Sequence, residues 1–227
     1  MKAGNATYLK PGHIPTIVPV FPLAGALLLP GGQMPLNIFE PRYLAMIDDA
    51  LCGDRVIAMV QPRTAISSGQ AGPDDDNPPL CEVGCLGRIT AFQESGDGRY
   101  SVNLTGICRY RIVAEAAPKS GYRRCEIAIF AAELTDNDDE ADVDREALLE
   151  TFRKYLKANE MEADWNSIRR ASNGTLVTAL CMMSPYGPAE KQALLEAGDL
   201  KTRAETLIAI TEIALARTSA DPGAGLQ

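Results

Sequence analysis

Residues 99–112, RYSVNLTGICRYRI, decide the fold of this chain. Apolar side chains occupy the even-numbered positions of the stretch and polar side chains most of the odd-numbered ones. The apolar set is Tyr100, Val102, Leu104, Cys108, Tyr110 and Ile112. Because successive side chains of a strand point to opposite faces, the pattern predicts a strand with one buried face and one wet face. Arg109 and Arg111 fall on the wet side, and Gly106 predicts a bulge or bend.

Further strands flank this one. Glu94-Ser95-Gly96-Asp97-Gly98 supplies turn chemistry, so residues 83–93 and 99–112 are expected to form a hairpin. Residues 56–60 form a short apolar run typical of an inner strand, and residues 122–131 alternate again. Several short strands joined by such turns favour a small twisted barrel.

Helical patterns are found in two places. Pro41 suits a first helical position, apolar residues follow at helical spacing, and Gly53 ends the pattern. Beyond Asp142 the spacing predicts four helices, the first capped by Asp142 or Asp144. The others are expected over 175–183, from Pro188 to just before Gly198, and from an Asp199 cap to about Arg217.

The chain therefore divides into a β-rich and an α-helical part, and the predicted class is α+β. We predict a β-rich lobe over 14–132, an acidic linker over 133–142 and a helical lobe over 143–217. Residues 62–79, rich in Pro, Gly and Asp, predict a mobile loop.

Composition narrows the functional classes. Hydrophobic residues make up 46% and charged residues 23% of the 227 residues, as in soluble globular proteins. No run approaches the roughly 20 apolar residues that a membrane span needs, and residues 1–10 lack a secretory pattern, so we expect a cytoplasmic protein that does not engage a membrane. A formal net charge of -8 makes nucleic acid an unfavourable partner.

Catalytic and metal-binding patterns are sparse. His13 is the one histidine, and neither a G-x-S-x-G elbow nor a G-x-x-x-x-G-K-[ST] loop occurs. Cys81 and Cys85 have a C-x-x-x-C spacing, but a structural zinc site needs four ligands and no second pair follows. The sequence therefore predicts no catalytic residue, no metal site and no cofactor.

One stretch near the N-terminus resembles a known family. Residues 21–51, FPLAGALLLPGGQMPLNIFEPRYLAMIDDAL, are similar to the opening of the Lon protease N-terminal, or LON substrate-binding, domain. The family's apolar strand ending in Pro-Gly corresponds to the residues before Pro30-Gly31, and its Ile-Phe-Glu-Pro-Arg-Tyr phrase to 38–43. Its later phrases correspond to 83–89 (VGCLGRI), 106–112 (GICRYRI) and 190–196 (EKQALLE), with Arg203 downstream.

The resemblance covers roughly residues 15–215 and implies a PUA-like β-barrel lobe followed by a helical bundle. Full Lon proteases continue into an ATPase and a serine-lysine protease, so the resemblance implies a solitary-domain member without either module. It also implies a non-catalytic module that binds unfolded or degradation-marked polypeptides, alone or with a full-length Lon protease. The crease between the lobes is the expected place, with the contacts expected at Leu28, Met34, Phe39 and Tyr43.

Two further functions remain open from the sequence. PUA-like barrels elsewhere bind RNA, and one face could carry Arg88, Arg109, Arg111, Arg123 and Arg124. A small-ligand sensor would instead enclose its ligand between barrel and helices in a partly apolar pocket.

Overall fold

The computed structural model describes residues 1–63, 77–135 and 143–220, and it has the expected α+β class. The strands are β1 (Lys2–Ala3), β2 (Ala6–Thr7), β3 (Ile17–Pro22), β4 (Gln33–Ile38), β5 (Val56–Val60), β6 (Val83–Glu94), β7 (Tyr100–Lys119) and β8 (Tyr122–Ile129). The helices are α1 (Pro41–Leu51), α2 (Arg145–Ala158), α3 (Trp165–Arg170), α4 (Asn173–Met183), α5 (Pro188–Glu196) and α6 (Leu200–Ala220). Short 3₁₀ turns lie at Pro11–His13 and Ala131–Leu134.

Five strands of the main sheet, β7, β6, β5, β3 and β8, pair in a closed circuit, and β4 is added beside β7. The six-stranded sheet has the order β4-β7-β6-β5-β3-β8, and β7 also pairs with β8. The long strand β7 makes this possible, because its first half pairs with β4 and its second half with β8, while β6 pairs along most of it. Among the described residues of the main sheet, every pairing is antiparallel except that of β3 with β5.

The strand that decided the sequence interpretation is β7. Its hairpin with β6 is confirmed, and the register shifts between Leu86 and Gly87, opposite Cys108 and Gly106, so the predicted irregularity is also confirmed. The strand continues seven residues past Ile112, to Lys119. The sequence pattern missed this extension because Val113 to Lys119 are mostly exposed and do not alternate in polarity.

Helix α1 begins and ends close to the predicted residues. Pro41 occupies the first helical turn, Cys52 is the C-cap, and Gly53 follows. Its buried side chains are Tyr43, Met46, Ile47 and Ala50.

The prediction of four C-terminal helices was one helix too few. The four predicted helices are present, with Asp144 as the cap of α2, but the short helix α3 lies between α2 and α4. Six residues give too few turns to show an apolar stripe, and α3 has no buried residue. Its start could have been recognised from Asp164, whose side chain accepts from the backbone N–H groups of Asn166 and Ser167.

The resemblance also implied an apolar strand ending at Pro30-Gly31, and this is corrected. Residues 23–32 form no strand; β3 precedes them and β4 follows them. Leu27, Leu28 and Leu29 are nevertheless buried. Their apolar character therefore reflects core packing between two strands.

Two hydrophobic clusters form the interior. One is formed largely by strands of the circuit and includes Val20, Ile107 and Cys125, together with Tyr8 and Ile14 from the N-terminal segment. The other is shared by both parts of the chain, since Ile38 and Met46 of the β-rich part lie in one cluster with Leu148, Val177 and Leu194 of the helical part. The two parts therefore share one packed interior.

Two of the sequence predictions concern segments that the structure describes only in part. Most of the expected mobile loop, residues 64–76, and most of the expected acidic linker, residues 136–142, lie outside the described residues. At the start of the predicted linker, Leu134 is buried and Glu133 pairs with Arg109.

Candidate functional site

A tight turn at residues 30–33 forms one wall of a groove between the two parts of the chain. Gly31 has φ +77°, a left-handed conformation that favours glycine. The turn is held on β7 because Gly31 N–H donates to Gly106 O at 3.0 Å and Gly106 N–H donates to Gly32 O at 2.8 Å.

Helix α4 forms the other wall. The Ser172 hydroxyl accepts from Thr175 N–H at 3.2 Å at its start, and the helix stops at Met183, two residues before Pro185. Its core face carries Leu176, Val177, Leu180 and Cys181, while Thr175, Thr178, Ala179, Met182 and Met183 line the groove.

The groove has a volume of about 330 Å³ and no charged residue in its lining. Met182 packs so closely on Gly32 that a Cβ on this glycine would lie 2.2 Å from Met182 Sδ. Met183 is 81% exposed at the groove margin. The full lining is Pro30, Gly31, Gly32, Gln33, Gly174, Thr175, Thr178, Ala179, Met182 and Met183.

Polar side chains fix helix α5, and with it the helical part, against the β-rich part. The Gln61 amide donates to Pro188 O at 2.8 Å, and the Gln192 amide donates to Val83 O at 3.1 Å. Lys191 Nζ donates to Gly25 O at 2.8 Å, and burial lowers its pKa. The 190–196 phrase therefore joins the two parts of the chain.

Arg109 is the largest departure from the sequence interpretation, which placed it on a wet face. It is 5% exposed, because the helical part covers that face of β7. Its guanidinium donates to Leu195 O at 2.7 Å and Gly198 O at 3.1 Å, and its Nε donates to Glu133. Arg203 donates to Leu194 O at 3.0 Å, so two arginines bind the carbonyl groups at the end of α5.

The four residues expected to contact a polypeptide lie in different environments. Leu28 is 2% and Tyr43 8% exposed, and both belong to the shared core, where the Tyr43 ring packs on Phe21. Met34 is half-buried against that core. Phe39 is 63% exposed directly after β4. Of these four residues, Phe39 and Met34 present surface to a partner in this conformation, whereas Leu28 and Tyr43 are buried.

Strand β4 provides a second exposed feature. Among the described residues it pairs only with β7, so its other edge lacks a strand partner. Pro35, in the middle of the strand, has no N–H group to offer an added strand. An extended peptide could therefore add here only with a gap in its hydrogen bonding.

Two other cavities formed by the described residues are less suited to an apolar segment. A cleft of about 630 Å³ is lined in part by Glu40, Arg42, Glu115 and Arg123, and its charged side chains pair as Arg42–Glu40 and Arg123–Glu115. The space enclosed beside Leu28 and Cys85 is only about 10 Å³, whereas sites for small ligands hold about 300–1,000 Å³. Within the described residues, this space does not support a ligand enclosed there.

The five arginines of the RNA alternative are all engaged within the chain. Arg111 pairs with Glu82 at 2.8 Å, and Arg123 pairs with Glu115. Arg88 donates to Asp54 O at 2.8 Å and Arg124 to Ala117 O at 2.9 Å. Adjacent strand residues such as Arg123 and Arg124 point to opposite faces, so the five arginines do not form one basic surface.

The described residues contain little of what catalysis needs. Burial raises the pKa of Cys108 and of Cys181 to about 12 and that of Cys125 to about 11, so these thiols are protonated and weakly nucleophilic at neutral pH. His13 Nδ1 accepts from Leu9 N–H at 3.3 Å in the N-terminal turn. No group of three or more His, Cys, Asp or Glu in the described ranges is arranged to hold a metal ion.

None of the helices in the described part of the chain has the length and apolar character that crossing a membrane requires.

Fold and groove together define a class: an α+β domain in which the β-rich and helical parts enclose an uncharged groove. The model for the ATP-dependent protease La (LON) substrate-binding domain matches residues 17–212, and the chain belongs to this family.

Known relatives and structures agree with this assignment. The chain is 27% identical over 202 residues to Lon protease 2 of Myxococcus xanthus, covering 86% of this chain and 23% of that protein. It is 26% identical over 213 residues to the Lon protease of Anaeromyxobacter dehalogenans, covering 90% and 24%. The chain thus spans about a quarter of the length of these curated relatives, and the match lies in the substrate-binding domain.

Two solved structures share the fold. A Lon N-terminal domain protein from Xanthomonas campestris has a TM-score of 0.58 at 22% identity, and the N-terminal domain of the Mycobacterium avium complex Lon protease has a TM-score of 0.59 at 20% identity. Each comparison covers 86% of this chain and 98% of the other.

Proposed function

We propose that this protein is a non-catalytic recognition module that binds unfolded or degradation-marked polypeptides in the groove between the turn at 30–33 and helix α4. Membership of a substrate-binding family supports polypeptide as the ligand class. The single observation that carries the choice of site is the groove lining, which is uncharged and ends in the exposed Met183. Flexible, polarisable methionine side chains adapt to many different apolar partners.

Two of the residues expected from the sequence keep a direct role in this proposal. Met34 lies on β4 directly after the groove turn, and Phe39 extends the exposed apolar surface beyond the strand. Leu28 and Tyr43 would support the site from the core. The proposal further includes a PUA-like barrel formed by the strand circuit, a cytoplasmic location, and action either alone or beside a full-length Lon protease.

Binding to a reduced, carboxymethylated model polypeptide tests the proposal, with the native form of that polypeptide and a structured RNA measured in parallel. We expect the unfolded chain to bind selectively. Met183→Glu should weaken binding by about tenfold or more, because burying one apolar side chain contributes about 1.5–3 kcal/mol. Met161→Glu is the matched control, since Met161 is also exposed but lies outside the groove lining.

Each other outcome has a definite meaning. If both variants bind the unfolded chain as tightly as the unchanged protein does, the groove is not the binding site. Absence of binding to the unfolded chain would overturn the proposed recognition function. RNA retention that weakens steeply with salt would favour the RNA alternative.

A further inference from the structure

The two methionines of the groove are more accessible than the methionines of the core. Met183 is the most exposed large apolar residue among those described, whereas Met46 and Met59 are buried in the core. A soluble oxidant therefore reaches Met183 directly and Met46 and Met59 only when the core opens. Met182 is half-buried in the groove against Gly32.

Oxidation at these positions would change the groove itself. A sulfoxide converts a flexible apolar side chain into a polar one. Met182 Sδ lies too close to Gly32 to leave room for even a methyl group on that glycine. An oxygen atom added to this sulfur would place a polar acceptor in the groove beside the turn at 30–33. On Met183 it would place a strong acceptor at the mouth of a groove without charged side chains.

We propose that Met182 and Met183 form an oxidation-sensitive modification site, at which conversion to methionine sulfoxide by a peroxide weakens polypeptide binding. The inference rests on the proposed function of the groove. The sulfur lone pair attacks one oxygen of hydrogen peroxide and the O–O bond breaks. The other oxygen leaves as hydroxide and takes up the proton of the transferred oxygen to become water. The sulfur loses two electrons to the peroxide and gains one oxygen atom. Thiol-dependent reduction of the sulfoxide restores the thioether.

Peptide mass spectrometry after graded hydrogen peroxide treatment tests the site, and binding to the carboxymethylated polypeptide tests its effect. We expect Met183 and Met161 to be oxidised before Met46 and Met59. Prior binding of the polypeptide should slow oxidation of Met183 but leave that of Met161 unchanged. Oxidised protein should bind at least about fivefold more weakly, as loss of thioether contacts predicts.

Two variants separate the groove from exposure in general. Met182→Leu/Met183→Leu should bind equally well before and after peroxide, since leucine keeps an apolar side chain that peroxide does not oxidise. Met161→Leu should lose affinity on oxidation as the unchanged protein does. A methionine sulfoxide reductase should restore the affinity of the oxidised protein.

The outcomes distinguish this inference from the function on which it rests. Binding by the reduced protein that persists after Met182 and Met183 are oxidised would overturn the switch and leave the recognition function standing. Failure of the polypeptide to protect Met183 would overturn the groove assignment and the switch together. Absence of binding by the reduced protein would overturn the function and, with it, the switch.

Discussion

At the scale of single residues, close backbone approaches explain the glycines of the sequence phrases. A Cβ on Gly106 would lie 2.0 Å from Leu29 O. A Cβ on Gly84 would lie 2.4 Å from both Met59 O and the Tyr110 hydroxyl, which donates to that same carbonyl. These glycines are required by packing between strands and by the core segment before the groove turn.

Gly106→Ala should lower the free energy of unfolding by about 3 kcal/mol or more, because the clash is with backbone that cannot rotate away. Urea denaturation followed by circular dichroism measures the change. Gly12→Ala is the control, since no atom lies within 4 Å of its Cβ, and its effect should stay within about 0.5 kcal/mol. Equal midpoints for the two variants would contradict this packing account.

Arg109→Ala should lower the free energy of unfolding by about 3–5 kcal/mol. The substitution leaves the carbonyl groups at the end of α5 without their buried donor and Glu133 without its cation. Arg111 lies two residues along β7 and pairs with the exposed Glu82. Arg111→Ala should lower the free energy of unfolding by at most about 1 kcal/mol. Denaturant unfolding of both variants gives the comparison. Similar losses in the two would show that burial of Arg109 has little energetic weight.

At the scale of the helix, exposed aspartates begin α3 and α6. Hydrogen bonds from Ser167 lower the pKa of Asp164, and hydrogen bonds from Thr202 lower that of Asp199. A carboxyl group whose pKa is lowered on folding binds protons more readily in the unfolded state. Its contribution is therefore present above the ordinary value of 3.8 and is lost as the pH falls below it.

The melting temperature should accordingly decrease as the pH falls from about 5 to about 3, and Asp199→Asn should make this decrease shallower. Asparagine still caps a helix but does not titrate in this range. Thermal unfolding monitored by circular dichroism at a series of pH values gives the two slopes. A slope unaffected by the substitution would assign the acid sensitivity to other carboxyl groups, such as Asp49, whose pKa Lys119 lowers.

The elements themselves were mostly predictable from local patterns, but their contacts were not. Pro41 and Pro188 marked the starts of two helices, and alternation along β7 marked the start of that strand but not its last seven residues. The burial of Arg109 depends on carbonyl groups nearly ninety positions away. Likewise, the groove joins Gly32 to Met182 across about 150 positions, which neither helical spacing nor alternation can reveal. The sequence therefore directed attention to Met34 and Phe39 but not to Met182 and Met183.

At the scale of the whole molecule, the shared core should make the two parts unfold together. Trp165 is the single tryptophan and lies in the helical part, where Arg153 stacks over its ring at 4.7 Å. We expect the midpoint of its fluorescence change to coincide with that of far-UV circular dichroism, which reports the whole backbone. Separate midpoints would show that the helical part opens independently, and that the groove can lose one wall while the strands remain folded.

The closed strand circuit has a consequence for the proposed binding of unfolded chains. Exposed sheet edges are templates on which such chains assemble into aggregates and fibrils. In the main sheet, among the described residues, only β4 keeps an edge without a strand partner, and Pro35 interrupts its supply of N–H groups. If the proposed function holds, the domain would present apolar side chains to an unfolded chain while offering it little free backbone on which to aggregate.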